Sequence, residues 1–187
     1  MRYFLDTEFI EAGAGQTIDL ISIGLVCEDG REYYAVNIDC DFDRASNWVV
    51  KNVLSHLPSK PSNAEYRAST RLRADDFFQT RVGKEGWRSR QLIADEIVNF
   101  IDEDKPEFWG YYADYDHVVF CQLFGAMIDL PKGFPMYMRD LKQIVDELGN
   151  PRLPEQSKGK HNALADARWT RDSYAWLKEN YSHPGLQ

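Results

Sequence analysis

The stretch Arg2-Tyr3-Phe4-Leu5-Asp6-Thr7-Glu8-Phe9-Ile10 constrains the fold more than any other part of the chain. Its apolar and aromatic residues have the composition of a buried strand. Yet it carries two carboxylates, Asp6 and Glu8, two residues apart. In a strand, residues i and i+2 share a face. Asp6 and Glu8 therefore project together, while Leu5, Thr7 and Phe9 point the other way. Neighbouring carboxylates repel, and burying them unpaired costs several kcal/mol or more, an order-of-magnitude figure. Either the strand end faces solvent, the ordinary explanation of an isolated Asp-x-Glu, or something positive lies between the two side chains. The flanking Phe4, Leu5, Phe9 and Ile10 argue against exposure.

The segments that follow set out a fold around this strand. TIDLISIGLVCEDG (17–30) is β-branched and apolar and ends at Asp29-Gly30, and REYYAVNID (31–39) begins at once. An Asp-Gly between two such runs signals a hairpin. Residues 1–39 are thus predicted as a three-stranded antiparallel meander. SNWVVKNVLSHL (46–57) reads as a short helix with Ser46 as candidate N-cap, ended by Pro58 and Pro61. Residues 58–86 are polar and aperiodic and are expected to form a long connection or insertion. In SRQLIADEIVNFIDE (89–103), Ile93, Ile97, Phe100 and Ile101 fall at i, i+4, i+7 and i+8, an amphipathic helix. A strand is expected at 106–113. A helix is expected at 116–130 with Val119, Leu123 and Met127 on one face. A shorter helix ending at Gly149, a loop at 150–160 and a last helix from about Asn162 to Glu179 complete the chain. A meander followed by alternating helices and strands suggests an α/β fold with a mixed sheet flanked by helices. At 187 residues, one domain is the default.

Two more places concentrate acidic residues at predicted element ends. In GYYADYDHVVF, Asp114 and Asp116 stand where a strand gives way to a helix. Capping explains an Asp at a helix start. A ligand site is the alternative, because open α/β sheets bind ligands at strand ends. In HNALADARW, His161 precedes Asp166 by five residues, about 140° around a helix. They cannot share a helical face, so His161 is expected in the loop before the helix and Asp166 one turn inside. A surface histidine followed by an incidental acid is the plainer reading of that motif alone.

Taken together, these residues resemble the DEDDh exonucleases of the RNase H-like superfamily. Asp6 and Glu8 match the first motif of that family, Asp116 the second, and His161 with Asp166 the third. The likeness spans nearly the whole chain. RYFLDTEFI, IDLISIGLV, GREYYAVN, WRSRQLI, YDHVVFCQLFG and ALADAR look like the polyadenylate-specific exoribonucleases of mycobacteria, although the polar stretch at 60–82 is longer than expected there. The resemblance implies an RNase H-like fold and 3′→5′ release of nucleoside 5′-monophosphates from single-stranded RNA. It also implies a preference for 3′ adenylates and a homodimer. Two Mg²⁺ or Mn²⁺ ions are implied, hard cations that suit carboxylate oxygens. Such a pair, roughly 3.5–4 Å apart, activates water and stabilises the leaving oxygen. By resemblance, Asp6 bridges both ions, Glu8 and Asp166 bind the nucleophile-side ion, Asp116 supports the other, and His161 is the general base. A DNA exonuclease of the proofreading type uses the same residues. A catalytically silent RNA-binding module on this fold is the third reading, against which five intact motif residues argue.

Net charge is −8, which argues against a protein that grips nucleic acid by charge alone. Cations are nonetheless concentrated at 67–90, where Arg67, Arg71, Arg73, Arg81, Lys84, Arg88 and Arg90 accompany Phe77, Phe78 and Trp87. Cations with aromatics suit a single-strand groove, and Arg71, Arg73, Arg81 and Trp87 are the candidate RNA contacts. A solvated loop with some rings tucked inward explains the stretch as well. Arg152, Lys158 and Lys160 form a smaller patch. Thr7, Phe9 and Ser22 are candidates to frame the terminal base, from adjacency to Asp6 and Glu8. The odd cysteine count without C-x-x-C spacing suits a reducing cytosol. The sequence has neither an apolar run of about 18 residues nor the apolar core of a signal peptide, so neither a membrane span nor secretion is expected.

Overall fold

The computed structural model describes residues 1–11, 13–101, 105–156 and 159–187. Its sheet begins with β1 (Arg2–Ile10), β2 (Asp19–Cys27) and β3 (Glu32–Asn37), an antiparallel meander as expected. The β2–β3 turn closes at Asp29-Gly30. Gly30 takes φ +95, and Asp29 Oδ1 accepts from Arg31 N at 2.9 Å. Helix α1 (Asn47–Asn52) is capped by Ser46, which accepts from Val49 N. The 58–86 connection is not irregular. It folds into α2 (Asn63–Thr70), α3 (Ala74–Gln79) and α4 (Arg81–Lys84), with Ser62 and Thr80 as N-caps of α2 and α4. Each is too short to show a helical period. Phe77, Val82 and Trp87 bury themselves with Val36 and Ile38 of the sheet.

The rest is β4 (Trp87–Arg88), α5 (Arg90–Phe100), β5 (Glu107–Gly110), α6 (Asp114–Gln122), β6 (Arg139–Asp140), α7 (Leu141–Glu147) and α8 (Ala163–Asn180). The strand order is β4-β3-β2-β1-β5-β6, with β3–β4, β1–β5 and β5–β6 parallel. The mixed sheet is thus present. The helix expected at 116–130 stops at Gln122, because Gly125 turns the chain at φ +122 and Met127 falls in a separate 3₁₀ turn. The strand expected at 106–113 ends at Gly110, and Tyr112 adopts φ +58. The two-residue β6 is too short to leave a pattern. The helix expected at 89–103 ends at Phe100, and residues 102–103 lie outside the described residues.

Strand alternation divides the core. Tyr3, Leu5, Ile23 and Leu25 pack with Ile93 and Ile97 of α5 and Val119 and Phe120 of α6. On the opposite face, Phe4 and Trp109 meet Leu141 and Ile144 of α7 and Tyr174 and Leu177 of α8. Asp6 and Glu8 share the parity of Phe4 and so face α8. Gly24, paired with Asp6 across β1–β2, lets α8 settle on the sheet. A Cβ at Gly24 would lie 2.4 Å from Leu164 N and 2.5 Å from Ala163 C. The start of α8 is therefore seated over the centre of the sheet, beside the carboxylates.

Candidate active site

Asp166 lies in the first turn of α8, whose N-cap Asn162 accepts from Ala165 N at 3.1 Å. One carboxylate oxygen from each of Asp6, Glu8 and Asp166 lies within 4.8 Å of the others. No lysine or arginine among the described residues pairs with them. Their acidity records the conflict. Burial, then Asp116, Asp166 and Glu8, hold the Asp6 carboxyl well above its ordinary value. Burial, then Asp166 and Asp116, push Glu8 up to about 8. Burial also raises Asp166, opposed by hydrogen bonds from Gln156 and the His161 amide. Acid oxygens this close, with no internal counter-charge, are a donor set for a hard divalent cation.

Asp116 stands behind this triad in the first turn of α6. Its Oδ1 accepts from Thr7 N at 2.8 Å and Thr7 Oγ1 at 2.6 Å. These bonds pull its pKa down, but burial prevails and sets it at about 6. Asp114 is exposed and caps nothing. Asp140 instead accepts from Tyr112 N and Ala113 N at 3.0 and 3.2 Å, and so fixes the turn that enters α6.

His161 sits outside the helix, as the spacing required, at φ +62. Its backbone N–H donates to Asp166 Oδ2 at 2.9 Å. Its imidazole meets Trp48 of α1 edge-on, with centroids 4.9 Å apart. Gln156 Nε2 donates to Asp166 Oδ1 at 2.6 Å, so both oxygens of Asp166 are oriented. A cavity of about 230 Å³ lined by Asp6, Tyr111, Gln156, His161, Asp166 and Trp169 opens over the cluster. A second, of about 380 Å³, lies beyond Glu8 against Phe9, Glu11 and Trp48.

Other expected contacts are placed differently. Thr7 is buried and braces Asp116, so it presents no group to a base. Ser22, opposite Glu8 in the sheet, is 1% exposed and so is closed off from a base. Trp87 is 0% exposed and cannot stack on a base. The Arg81 guanidinium is engaged by Glu65 and Glu85 at 2.9 and 2.7 Å, which holds α2 to α4 and leaves no free fork for phosphate. Arg71 and Arg73 are exposed. Phe9 stacks on Tyr115 at 5.5 Å and 10°. Lys158 lies outside the described residues, and Arg152 pairs with Glu155. Sequence reasoning missed Gln156, Asp140 and Trp48. Trp48 alone left a trace, as an aromatic one residue into a short polar helix.

The chain matches the family described as the Rv2179c-like domain, "3'-5' exoribonuclease Rv2179c-like domain", over residues 1–177. Two relatives from Mycobacterium tuberculosis, the 3'-5' exoribonucleases MT2234.1 and Rv2179c, are 43% identical over 171 residues, covering 90% of this chain and 88% of each relative. Among solved structures, E. coli exonuclease I with a 5cy-dT13 oligonucleotide superposes with a TM-score of 0.54 at 14% identity. That match covers 99% of this chain, which spans only 41% of the exonuclease I chain. A second exonuclease I structure gives 0.55, again at 14% identity. The chain thus shares the fold of this part of exonuclease I.

Proposed function

Because the chain belongs to the Rv2179c-like 3'-5' exoribonuclease family, we propose that it releases nucleoside 5′-monophosphates one at a time from the 3′ end of single-stranded RNA. Two Mg²⁺ or Mn²⁺ ions would serve it. The observation that carries the reading is the uncompensated triad of Asp6, Glu8 and Asp166, with oxygens within 4.8 Å. Asp6, Glu8 and Asp166 would hold one cation, and Asp6 with Asp116 the other. When bound, the ions supply Lewis-acid stabilisation of the phosphate and a water that ionises near neutral pH.

The chain's own residues do the rest. Gln156 and the His161 amide fix both oxygens of Asp166, and Thr7 fixes Asp116. This limits how Asp166 and Asp116 present their oxygens. His161, whose ring nitrogens have no hydrogen-bond partner among the described residues, takes a proton from the attacking water at one of them. Water oxygen bonds to phosphorus, the bond to the 3′ oxygen of the preceding nucleotide breaks, and that oxygen leaves with a proton. Trp48 limits where the imidazole can turn. The terminal nucleoside is accommodated beyond Glu8, in the cavity walled by Phe9 and Trp48, and adenylates are the favoured ends.

The enzyme acts as a homodimer in this reading. Exposed Ile128, Met136 and Tyr137 support association. Cys27, Cys40 and Cys121 are buried free thiols, in keeping with a cytosolic setting. No helix among the described residues is long and apolar enough to cross a membrane. The test is nucleotide release in Mg²⁺ from RNA and DNA oligomers of one sequence. Release from RNA supports the proposal, preferential release from DNA replaces it with the proofreading alternative, and binding without release leaves a silent RNA-binding module.

A further inference from the structure

Arg152 and Lys160, the smaller basic patch of the sequence, have no part in the chemistry above, yet both line a cavity of about 590 Å³. That cavity adjoins the one over the acid cluster and shares Tyr111, Gln156, Lys160 and Trp169 with it. It shares no wall with the pocket beyond Glu8. Its volume falls within the range of ligand sites, about 300–1,000 Å³. Tyr111 and Trp169 meet edge-on, with centroids 4.9 Å apart at 86°, so the two rings form a right-angled corner. Pro151, Leu153 and Pro154 add apolar wall. The loop that carries them is pinned. Trp169 Nε1 donates to Pro154 O at 2.8 Å, Asn150 N to Val145 O at 2.8 Å, and Lys142 Nζ to Asn150 Oδ1 at 3.2 Å. Lys160 is exposed and has no ion-pair partner among the described residues. Arg152 pairs with Glu155 alone, and with side chains 85% and 77% exposed that pair is weak and readily exchanged.

A corner of rings and prolines with cations at its rim suits unpaired nucleotides. Every base has a face to lay on an aromatic surface, and every link has a phosphate for a cation. Removal of a chain end also needs two places, one for the nucleotide that leaves and one for the strand that remains. The first lies beyond Glu8. The cavity over the cluster reaches Asp6 and continues, past Tyr111 and Lys160, into this second space. We infer that the cavity walled by Tyr111, Trp169 and the 150–156 loop holds the third and fourth nucleotides from the 3′ end, with Arg152 and Lys160 on their phosphates and their bases stacked without regard to identity. The inference rests on the exoribonuclease reading for the direction of the strand and adds to it a site that makes the rate depend on chain length. Glu155 opposes that site, because its carboxylate competes with phosphate for Arg152.

The probes are oligoadenylates of two and four residues, of which only the longer reaches this cavity. The ratio of kcat/KM for tetramer over dimer reads what the cavity adds. One stacked base predicts a wild-type ratio of roughly ten. A tetramer made abasic at the third nucleotide from its 3′ end brings that ratio towards one. Arg152→Gln lowers the ratio about three-fold, whereas Glu155→Gln frees Arg152 and raises it. A merely structural ion pair would give the two variants effects of the same sign. Both side chains are exposed, so neither substitution touches the core. Four results overturn the inference: a wild-type ratio near one, an abasic tetramer as good as the intact one, Arg152 and Glu155 variants that move the ratio the same way, or a ratio that responds instead to Arg71→Gln with Arg73→Gln. Affinities of the same oligomers in EDTA, read by fluorescence anisotropy, involve no release. Length dependence and opposite responses of the two variants there, with no RNA shortened in Mg²⁺, overturn the exoribonuclease reading and leave the strand-binding cavity standing.

Discussion

Stripped of divalent cations, this protein should lose stability as pH rises from 5 to 8. The reason lies in Asp6, Glu8, Asp116 and Asp166, all of which hold their protons more tightly in the folded chain than in an unfolded one. A carboxyl with a raised folded-state pKa stabilises the fold fully below its unfolded value. That contribution is lost as pH climbs through the folded value. The window therefore opens above the ordinary carboxylate range, passes Asp116 at about 6 and includes Glu8 at about 8, with Asp6 raised in the same direction. Glu8 alone, displaced from 4.5 to about 8, sets an upper limit of roughly 5 kcal/mol, at about 1.4 kcal/mol per pH unit. Solvent at the cleft mouth reduces that to the order of 2–3 kcal/mol between pH 5 and 8. For a chain of this length, this amounts to roughly 5–10 °C in Tm. Asp29, Glu32, Glu65 and Asp146 are shifted the opposite way and lose their contributions below about pH 4.5, outside the window. The assay is thermal unfolding in EDTA at stepped pH, repeated in Mn²⁺. Added Mn²⁺ should raise Tm more at pH 8 than at pH 5, and Glu8→Gln should flatten the EDTA curve. A chelated Tm that is constant or rises from pH 5 to 8 refutes the account of an uncompensated acid cluster.

Asp6→Ala should abolish activity in Mg²⁺ while leaving metal-free stability unchanged or raised, since it relieves repulsion. More than a few per cent of wild-type rate would end the two-ion assignment. His161→Ala should slow release by roughly 10²–10⁴-fold and retain Mn²⁺ binding by calorimetry, a lost site making the histidine a ligand. Thr7→Val removes the 2.6 Å bond to Asp116 and should weaken metal affinity by roughly 10–100-fold. Unchanged Mn²⁺ titration would show the brace to be dispensable. Arg71→Gln with Arg73→Gln should weaken RNA binding and flatten its salt dependence, by about 0.7 in the log–log slope per contact, whereas Arg81→Gln should not. Equal slopes in all three proteins would remove the α2–α4 segment from the RNA path.

The gathering of Asp6, Glu8, Asp116 and Asp166, and the place of His161 outside α8, were legible because the chemistry of these residues conflicts with their surroundings. An Asp-x-Glu in an apolar strand is anomalous on composition alone, and a histidine five residues before a helical Asp must leave the helix. The meander was legible for the opposite reason, since Asp29-Gly30 and the apolar runs beside it agree. The supports were not legible. Gln156 reaches Asp166 from a loop whose path no local rule fixes, and Asp140 reaches the start of α6 from a two-residue strand. Trp87 and Arg81 misled because charge and aromatic content do not reveal direction. The same composition serves a groove or, as found, a core ring and an ion pair between α2 and α4. The break after Gln122 was lost because Val119, Leu123 and Met127 keep a helical spacing through a glycine that ends the helix.

Gly24 bears neither charge nor ligand, yet a mutational scan should score it beside Asp6 and Asp166. Its intolerance is that of a gap. A single methyl there would meet the backbone of α8 at 2.4 Å, and backbone, unlike a flexible side chain, has no rotamer to yield. The helix would have to lift, and Asp166 with it, so that Asp6 and Glu8 would keep their places while their third partner left. Damage of this kind resembles loss of a ligand in every functional assay and loss of nothing in a chemical inventory of the site. Here an absent atom belongs to the candidate site as much as the atoms that are present.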